Sequence, residues 1–155
     1  MRAKILNTFK KKLPERFSHY AYSVTDTVMA QSSKHKIDPL MITAVIAGES
    51  NFDPTAIGPI GEIGLMQLRL TTAKWIAKKS NIHWKGKAAL KNPNYNIRLG
   101  VEYLGYLKKR FSKEGGLLYL AAYNMGVTSL QRLLSNKIQP KAYTKHVMKN
   151  YIAIN

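Results

Sequence analysis

Cysteine is absent from the chain, so neither a disulfide framework nor a cysteine-based metal site can be built from it. Acidic residues are scarce, 8 Asp and Glu against 25 Lys and Arg, which leaves a formal charge of +17. No stretch of about 18 consecutive apolar residues occurs, so nothing reads as a membrane-spanning helix. The four histidines, His19, His35, His83 and His146, are scattered without ligand spacing, and no metal is expected. The glycine-rich stretch 58–64 lacks the Gly-Lys-Ser/Thr ending of a phosphate-binding loop. No Ser/His/Asp nucleophile pattern is present, and no cofactor is implied.

What is present is apolar enough to fold. Hydrophobic residues make up 45% of 155 positions, which suits one domain with a real core rather than a disordered tail. The periodicity predicts a mainly α protein. Residues 1–12 read as a basic lead (Arg2, Lys4, Lys10, Lys11, Lys12), frayed or partly helical, with no apolar run behind it that would make a secretory signal. Residues 14–34 read as one amphipathic helix opening at Pro14, with Phe17, Ala21, Val24 and Val28 on its apolar stripe. Residues 1–35 are thus expected to form an arm and helix packed on a second segment, 36–155.

That second segment opens on the most apolar helix of the chain, 39–50, with Asp38 as N-cap and Pro39 as first helical residue. A Gly/Pro-rich loop, 51–68, follows and has room for short strands. A helix capped by Thr71 or Thr72 should turn Trp75 and Ile76 inward and Lys74, Lys78 and Lys79 outward. Residues 80–91 read as an irregular basic connector. Asn92-Pro93 opens a long helix to about 111, striped by Ile97, Val101, Leu104, Leu107 or Lys108, and Phe111, with Gly100 and Gly105 permitting close contacts. Shorter helices follow at 117–124 and 127–134, and Pro140 starts the last one, carrying Tyr143, Val147 and Tyr151.

With only eight carboxylates, elimination is informative. Glu15 and Asp26 fall on the polar side of the first helix, Asp38 is a cap, and Glu114 sits in a polar turn. Glu102 stands four residues after Arg98 on what reads as an exposed helix face. Glu49, Asp53 and Glu62 remain, close to the Gly/Pro loop, and Glu49 alone sits on an apolar element. It reads either as a polar residue that ends the helix and turns to solvent, or as a desolvated acid. Burial and the negative end of a helix both raise a carboxyl pKa, which suits a proton donor to a glycosidic leaving oxygen. Glycosidases normally use two carboxylates, and Asp53 or Glu62 could be the second.

Four motifs in order sharpen the choice. Glu49-Ser50 at the end of an apolar helix, followed by Gly58-x-x-Gly61-x-x-Gly64-Leu65-Met66-Gln67, resembles the lytic transglycosylase domain of the soluble-transglycosylase type, a relative of goose-type lysozyme. Asn96-Ile97-x-x-Gly100-x-x-Tyr103-Leu104, Ala121-Ala122-Tyr123-Asn124-Met125-Gly126 and Tyr143-x-x-x-Val147 are similar to that family's later motifs. The resemblance covers roughly residues 36–151. It implies a lysozyme-like fold and cleavage of the MurNAc-β-1,4-GlcNAc bond of peptidoglycan without water, giving 1,6-anhydroMurNAc ends. Glu49 would be the single acid/base. Ser50, Gln67, Tyr123, Asn124 and Tyr143 would line the glycan cleft. Spacing alone favours reading Tyr123 and Tyr143 as core tyrosines, and Asn124-Met125-Gly126 could be only a helix stop.

The chain departs from the family at Glu62, where a small residue is usual, at Met125, and at Leu68-Arg69-Leu70-Thr71-Thr72, which lacks the family's proline. Arg69 could lower the pKa of Glu49 or meet an acidic group of the substrate. Glu62 raises the alternative of a hydrolytic muramidase.

The lysines imply electrostatic attraction to anionic envelope polymers or a membrane surface. No dense basic helix with interleaved aromatics supports specific nucleic-acid binding. A non-catalytic basic glycan- or nucleic-acid-binding module is the other alternative. The expected place is the cell envelope or periplasm, and the expected state a monomer.

Overall fold

The computed structural model describes all 155 residues. Eight α-helices carry the chain: α1 (Arg2–Lys12), α2 (Ala21–His35), α3 (Pro39–Ser50), α4 (Leu70–Lys79), α5 (Pro93–Arg110), α6 (Leu118–Met125), α7 (Val127–Ser135) and α8 (Ala142–Ile154). Short 3-10 turns lie at Glu15–Tyr20 and Lys87–Lys91. The only β pairing is a pair of antiparallel bridges in the loop after α3, Ile57 with Ile63 and Ile63 with Leu68. No helix is long and apolar enough to cross a membrane.

The sequence explains why α3 is central. The Asp38 carboxylate accepts a hydrogen bond from the Leu40 amide at 2.8 Å, and Pro39 supplies a preset φ at the first helical position. Seven consecutive residues, Leu40 to Ile46, are buried, so the helix is enclosed on every side and has no wet face. It ends because Asn51 adopts the left-handed conformation (φ 48°), and its amide caps Ala47. Phe52 follows, also left-handed (φ 65°), an uncommon state for a bulky side chain. Packing compensates: Phe52 is 2% exposed and meets the ring of Phe9 edge-on at 5.6 Å.

Of the two expectations for the lead, frayed or partly helical, that contact excludes the first and extends the second. Residues 2–12 form a full helix whose Ile5 and Phe9 are completely buried in the main core. The lysines of its last turn, Lys10 to Lys12, complement the helix dipole, while the two apolar side chains pack inward. Burying a side chain the size of Phe9 contributes about 1.5–3 kcal/mol toward holding the helix on the core. The helix expected over 14–34 is likewise divided. Pro14 leads into a 3-10 turn over 15–20, and the α-helix proper starts at Ala21.

Two apolar clusters result. The larger joins α1, α2, α3, α5 and α6 around Ile42, Val45, Phe52, Met66, Val101 and Leu120. The smaller gathers Ile63, Leu68, Ile76, Leu90, Tyr95 and Leu99 under α4 and the connector. Tyr103, Tyr106 and Tyr123 pack against both, so the seam between the clusters is walled by tyrosines.

Other expectations shift by a turn or a face. Helix α4 starts at Leu70 with Arg69 before it, and no threonine caps it. Trp75 faces outward, 44% exposed, whereas Ile76 is buried. The last helix begins at Ala142 rather than at Pro140. Glu102, expected on an exposed face, is 5% exposed: it pairs with Lys34 and lies 3.3 Å from His35 Nε2. Gly105 makes this possible, because a Cβ there would lie 2.2 Å from His35 Nδ1.

Candidate active site

Glu49 stands in the last turn of α3, where the buried helix emerges at the seam. A concave surface collects it with Glu62, Gln67, Leu68, Arg69, Thr72, Tyr103, Tyr123, Asn124, Met125 and Gly126. Five elements contribute: the end of α3, the loop before α4, α4 itself, α5 and the α6–α7 junction.

The floor is the loop 56–68, and its shape is enforced by a few polar groups. Asn96, fully buried on α5, accepts from the Met66 amide at 2.8 Å and donates to the carbonyls of Ile63 and Leu90, each at 2.9 Å. Gly64 must be a glycine there. Its φ is +84°, and a Cβ would lie 2.4 Å from Asn96 Nδ2 and 2.5 Å from the Leu90 carbonyl. Gly100 admits the Met66 side chain, whose sulfur would be 2.4 Å from a Cβ. Gln67, left-handed at φ 49°, donates through Nε2 to the carbonyls of Ala56 (3.1 Å) and Gly64 (3.0 Å). The Tyr123 hydroxyl donates to the Met66 carbonyl at 2.7 Å. These bonds satisfy backbone groups that a tight loop would otherwise leave unpaired.

The electrostatics single out Glu49. Burial pushes its carboxyl above the ordinary carboxylate range. The Tyr143 hydroxyl donates to Oε1 and pulls the other way, and the negative charge of Glu62 pushes it up again. No salt bridge reaches Glu49. Of the two roles offered for Arg69, lowering the pKa of Glu49 is therefore not what prevails, although the guanidinium does line the cleft. Tyr143 and Tyr123 have raised pKa values, by burial first and then by the Glu49 charge, so both remain neutral hydroxyl donors. The arrangement favours the protonated form of a carboxyl beside an open cleft, the direction in which general-acid chemistry tunes such a group.

Of the residues singled out from the sequence, Glu49, Gln67, Tyr123 and Asn124 line the cleft, and Tyr143 reaches Glu49 from α8 behind it. Ser50 does not join them: its hydroxyl turns back to the Ile46 carbonyl at 3.2 Å and is absent from the cleft lining. Asp53 is also elsewhere, bound to the amide and hydroxyl of Thr55, both at 2.8 Å, in a local turn. Glu62 does face the cleft, and its Oε2 accepts from the Ile60 amide at 3.0 Å. Asn96 stands in one of the motifs, and spacing alone assigns it no role. An amide on an otherwise apolar stripe was the available signal. No group of three or more His, Cys, Asp or Glu side chains is placed to hold a metal.

The chain matches the family model described as "Transglycosylase SLT domain" over residues 26–145. It is 30% identical over 136 residues to the endo-type membrane-bound lytic murein transglycosylase A of Cronobacter sakazakii, covering 76% of this chain and 66% of that relative. The match to the same-named protein of Salmonella paratyphi B is 40% over 75 residues, covering 46% of this chain and 36% of the relative. Among solved structures, an inactive mutant of lytic transglycosylase Slt from Pseudomonas aeruginosa superimposes with a TM-score of 0.76 at 23% identity, over 89% of this chain and 25% of that one. The 70 kDa soluble lytic transglycosylase of Escherichia coli gives 0.70 at 25% identity, over 94% of this chain and 23% of that one. These likenesses carry the mainly helical, lysozyme-like fold. The chain spans just under two thirds of the Cronobacter relative and about a quarter of the solved chains.

Proposed function

Because the chain belongs to the transglycosylase SLT domain family, we propose that it cleaves the MurNAc-β-1,4-GlcNAc bond of peptidoglycan without consuming water. The observation that carries the reading is the setting of Glu49, a partly buried carboxyl that lines the cleft, whose one bonded partner is the Tyr143 hydroxyl and whose pKa burial raises. In the first step the Glu49 carboxyl donates its proton to the glycosidic oxygen as the C1–O bond breaks. The acetamido group of the muramyl ring supports the positive C1. In the second step the Glu49 carboxylate takes the proton of the muramyl C6 hydroxyl while O6 bonds to C1. A C1–O6 bond replaces the glycosidic bond, and Glu49 ends protonated as it began. Tyr143 holds the carboxylate between the steps, stabilising its charged form by one charge-assisted hydrogen bond. Gln67, Tyr123 and Asn124 position the strand.

The relatives' names place them at a membrane in bacteria, and the same envelope location is proposed here. The +17 charge would hold the protein near polyanionic wall and membrane surfaces, with attraction that weakens as salt rises.

The test is mass spectrometry of muropeptides released from purified sacculi by the wild type and by Glu49→Gln. Anhydro-muramyl ends that vanish in the mutant support the proposal. Reducing muramyl ends would favour the hydrolytic reading, for which one observation speaks: Glu62 lines the same cleft as Glu49 and bears on its charge state.

A further inference from the structure

Beside the cleft lies a second hollow that the proposed chemistry does not use. It is lined by Thr71, Thr72 and Trp75 of α4, Tyr103 and Tyr106 of α5, and Val127 at the start of α7. Thr72, Trp75 and Lys79 are spaced three and four apart, so they share one face of α4. Tyr103 and Tyr106 are three apart on α5 and lie nearly parallel, 14° between planes and 6.3 Å between centroids. Trp75 stands against both at right angles, 4.9 Å from Tyr106 and 6.3 Å from Tyr103. The Lys79 ammonium sits 5.6 Å from the Trp75 ring and 5.3 Å from the Tyr106 ring. Arg110 donates to the Tyr106 hydroxyl at 3.1 Å, which fixes the outer edge.

A tryptophan left 44% exposed beside two half-buried tyrosines is an apolar surface that folding alone does not explain. Three features indicate its occupant. The hollow is continuous with the cleft, since Thr72 and Tyr103 line both. Aromatic rings beside hydroxyls suit a pyranose, whose C–H face is apolar and whose rim carries hydroxyl and acetamido groups. The cation at the rim suits a strand that bears carboxylates on its side groups.

We propose that the Trp75–Tyr106 shelf is an additional saccharide subsite, binding an N-acetylated sugar of the same strand beyond the pair cleaved at Glu49, with Lys79 facing its acidic substituents. The proposal rests on the glycan reading of the cleft.

The probes are the N-acetylglucosamine trimer and hexamer, titrated into full-length protein carrying Glu49→Gln to prevent turnover. Trp75→Ala should weaken hexamer binding about tenfold, as truncation of an aromatic anchor does, and leave trimer binding within about twofold. Trp75→Phe should recover most of the loss. The chain has two tryptophans, so Trp84→Phe leaves Trp75 as sole reporter, and its emission should shift to shorter wavelength with the hexamer and not with the trimer. In a Glu49 background, Trp75→Ala should raise KM on sacculi and leave kcat unchanged.

Equal hexamer affinity in Trp75→Ala would overturn the proposal. So would loss of binding to anionic lipid vesicles in place of the hexamer, which would make the shelf a membrane contact. If the wild type binds neither oligomer and releases nothing from sacculi, the glycan reading of the cleft has failed and the shelf with it. Anhydro products with a Trp75-independent KM sink the shelf alone.

Discussion

Two carboxylates in this molecule are drawn away from water, Glu102 buried and Glu49 partly buried, and their environments act in opposite directions. Glu102, on α5, loses water like any buried acid. Yet the Lys34 ammonium that bonds it and the charge of His35 outweigh the desolvation, and its pKa falls below the ordinary value. Glu49, at the end of α3, loses water too, but its only bonded partner is a neutral tyrosine hydroxyl, so its pKa rises. Burial alone therefore does not mark a functional acid. A buried carboxylate beside cations ties helices together; one left beside a phenol and an open cleft has the setting proposed here for a proton donor.

The largest test of the contrast is Glu49→Gln. Loss of a general acid should lower the rate of strand cleavage about 10²–10⁴-fold, measured as product release from sacculi. The same change should not destabilise the fold. A folded pKa above the unfolded one means the folded state binds the proton more tightly. Its contribution to stability therefore declines as pH rises through that interval. The variant should thus melt at or above the wild-type temperature at neutral pH, and the difference should close below the ordinary carboxylate range. A clearly lower melting point at pH 7 would contradict the idea that Glu49 is kept at a cost.

Glu102→Gln should behave in reverse, with cleavage rate nearly unchanged and stability reduced. Removing one partner of a buried pair is costly, but Lys34 is 55% exposed, so solvent screening discounts the loss to about 1–2 kcal/mol, or roughly 2–8 °C in melting temperature. The sign with pH is opposite to that of Glu49. A depressed folded pKa gives stability that is present above the unfolded pKa and lost as pH falls through the folded one. The wild-type advantage over Glu102→Gln should therefore shrink on acidification.

The two acids were not equally legible. Glu49 could be found because it alone interrupts an apolar run, and the motifs after it order the loop correctly. Glu102 could not: its neighbours at three and four along α5 made it look like a surface pair with Arg98, and its real partners are on α2, 67 and 68 positions away. Local spacing sees only one helix. Trp75 failed for the complementary reason, since an aromatic next to Ile76 was assumed to share its face. The lysines dominate residues 1–12 as a sequence, whereas Ile5 and Phe9, at helical spacing, enter the main core, and Phe9 meets Phe52 just past Glu49. The Gly/Pro loop announced itself, but Asn96, which holds it from 30 residues away, did not.

Tyr143→Phe should lower the cleavage rate about tenfold, on the scale of one hydrogen bond to a charged group. Because that bond favours the carboxylate, its loss should raise the Glu49 pKa further. The alkaline limb of the kcat/KM profile, which follows the protonated acid, should move to higher pH. An unmoved limb would mean that the hydroxyl only fills space.

The smallest effect should come from Glu62→Gln, and its direction matters more than its size. Glu62 raises the Glu49 pKa through charge, the weakest of the influences on that group, across a cleft open to solvent and salt. Neutralising it should move the alkaline limb to lower pH, opposite to Tyr143→Phe, with a rate near the optimum within about threefold of wild type. High salt applied to the wild type should reproduce part of the same displacement. Glu62 would then modulate Glu49 without taking a proton itself, and anhydro-muramyl ends would persist. A fall as deep as that of Glu49→Gln would instead put two carboxylates in the reaction and bring water into the second step.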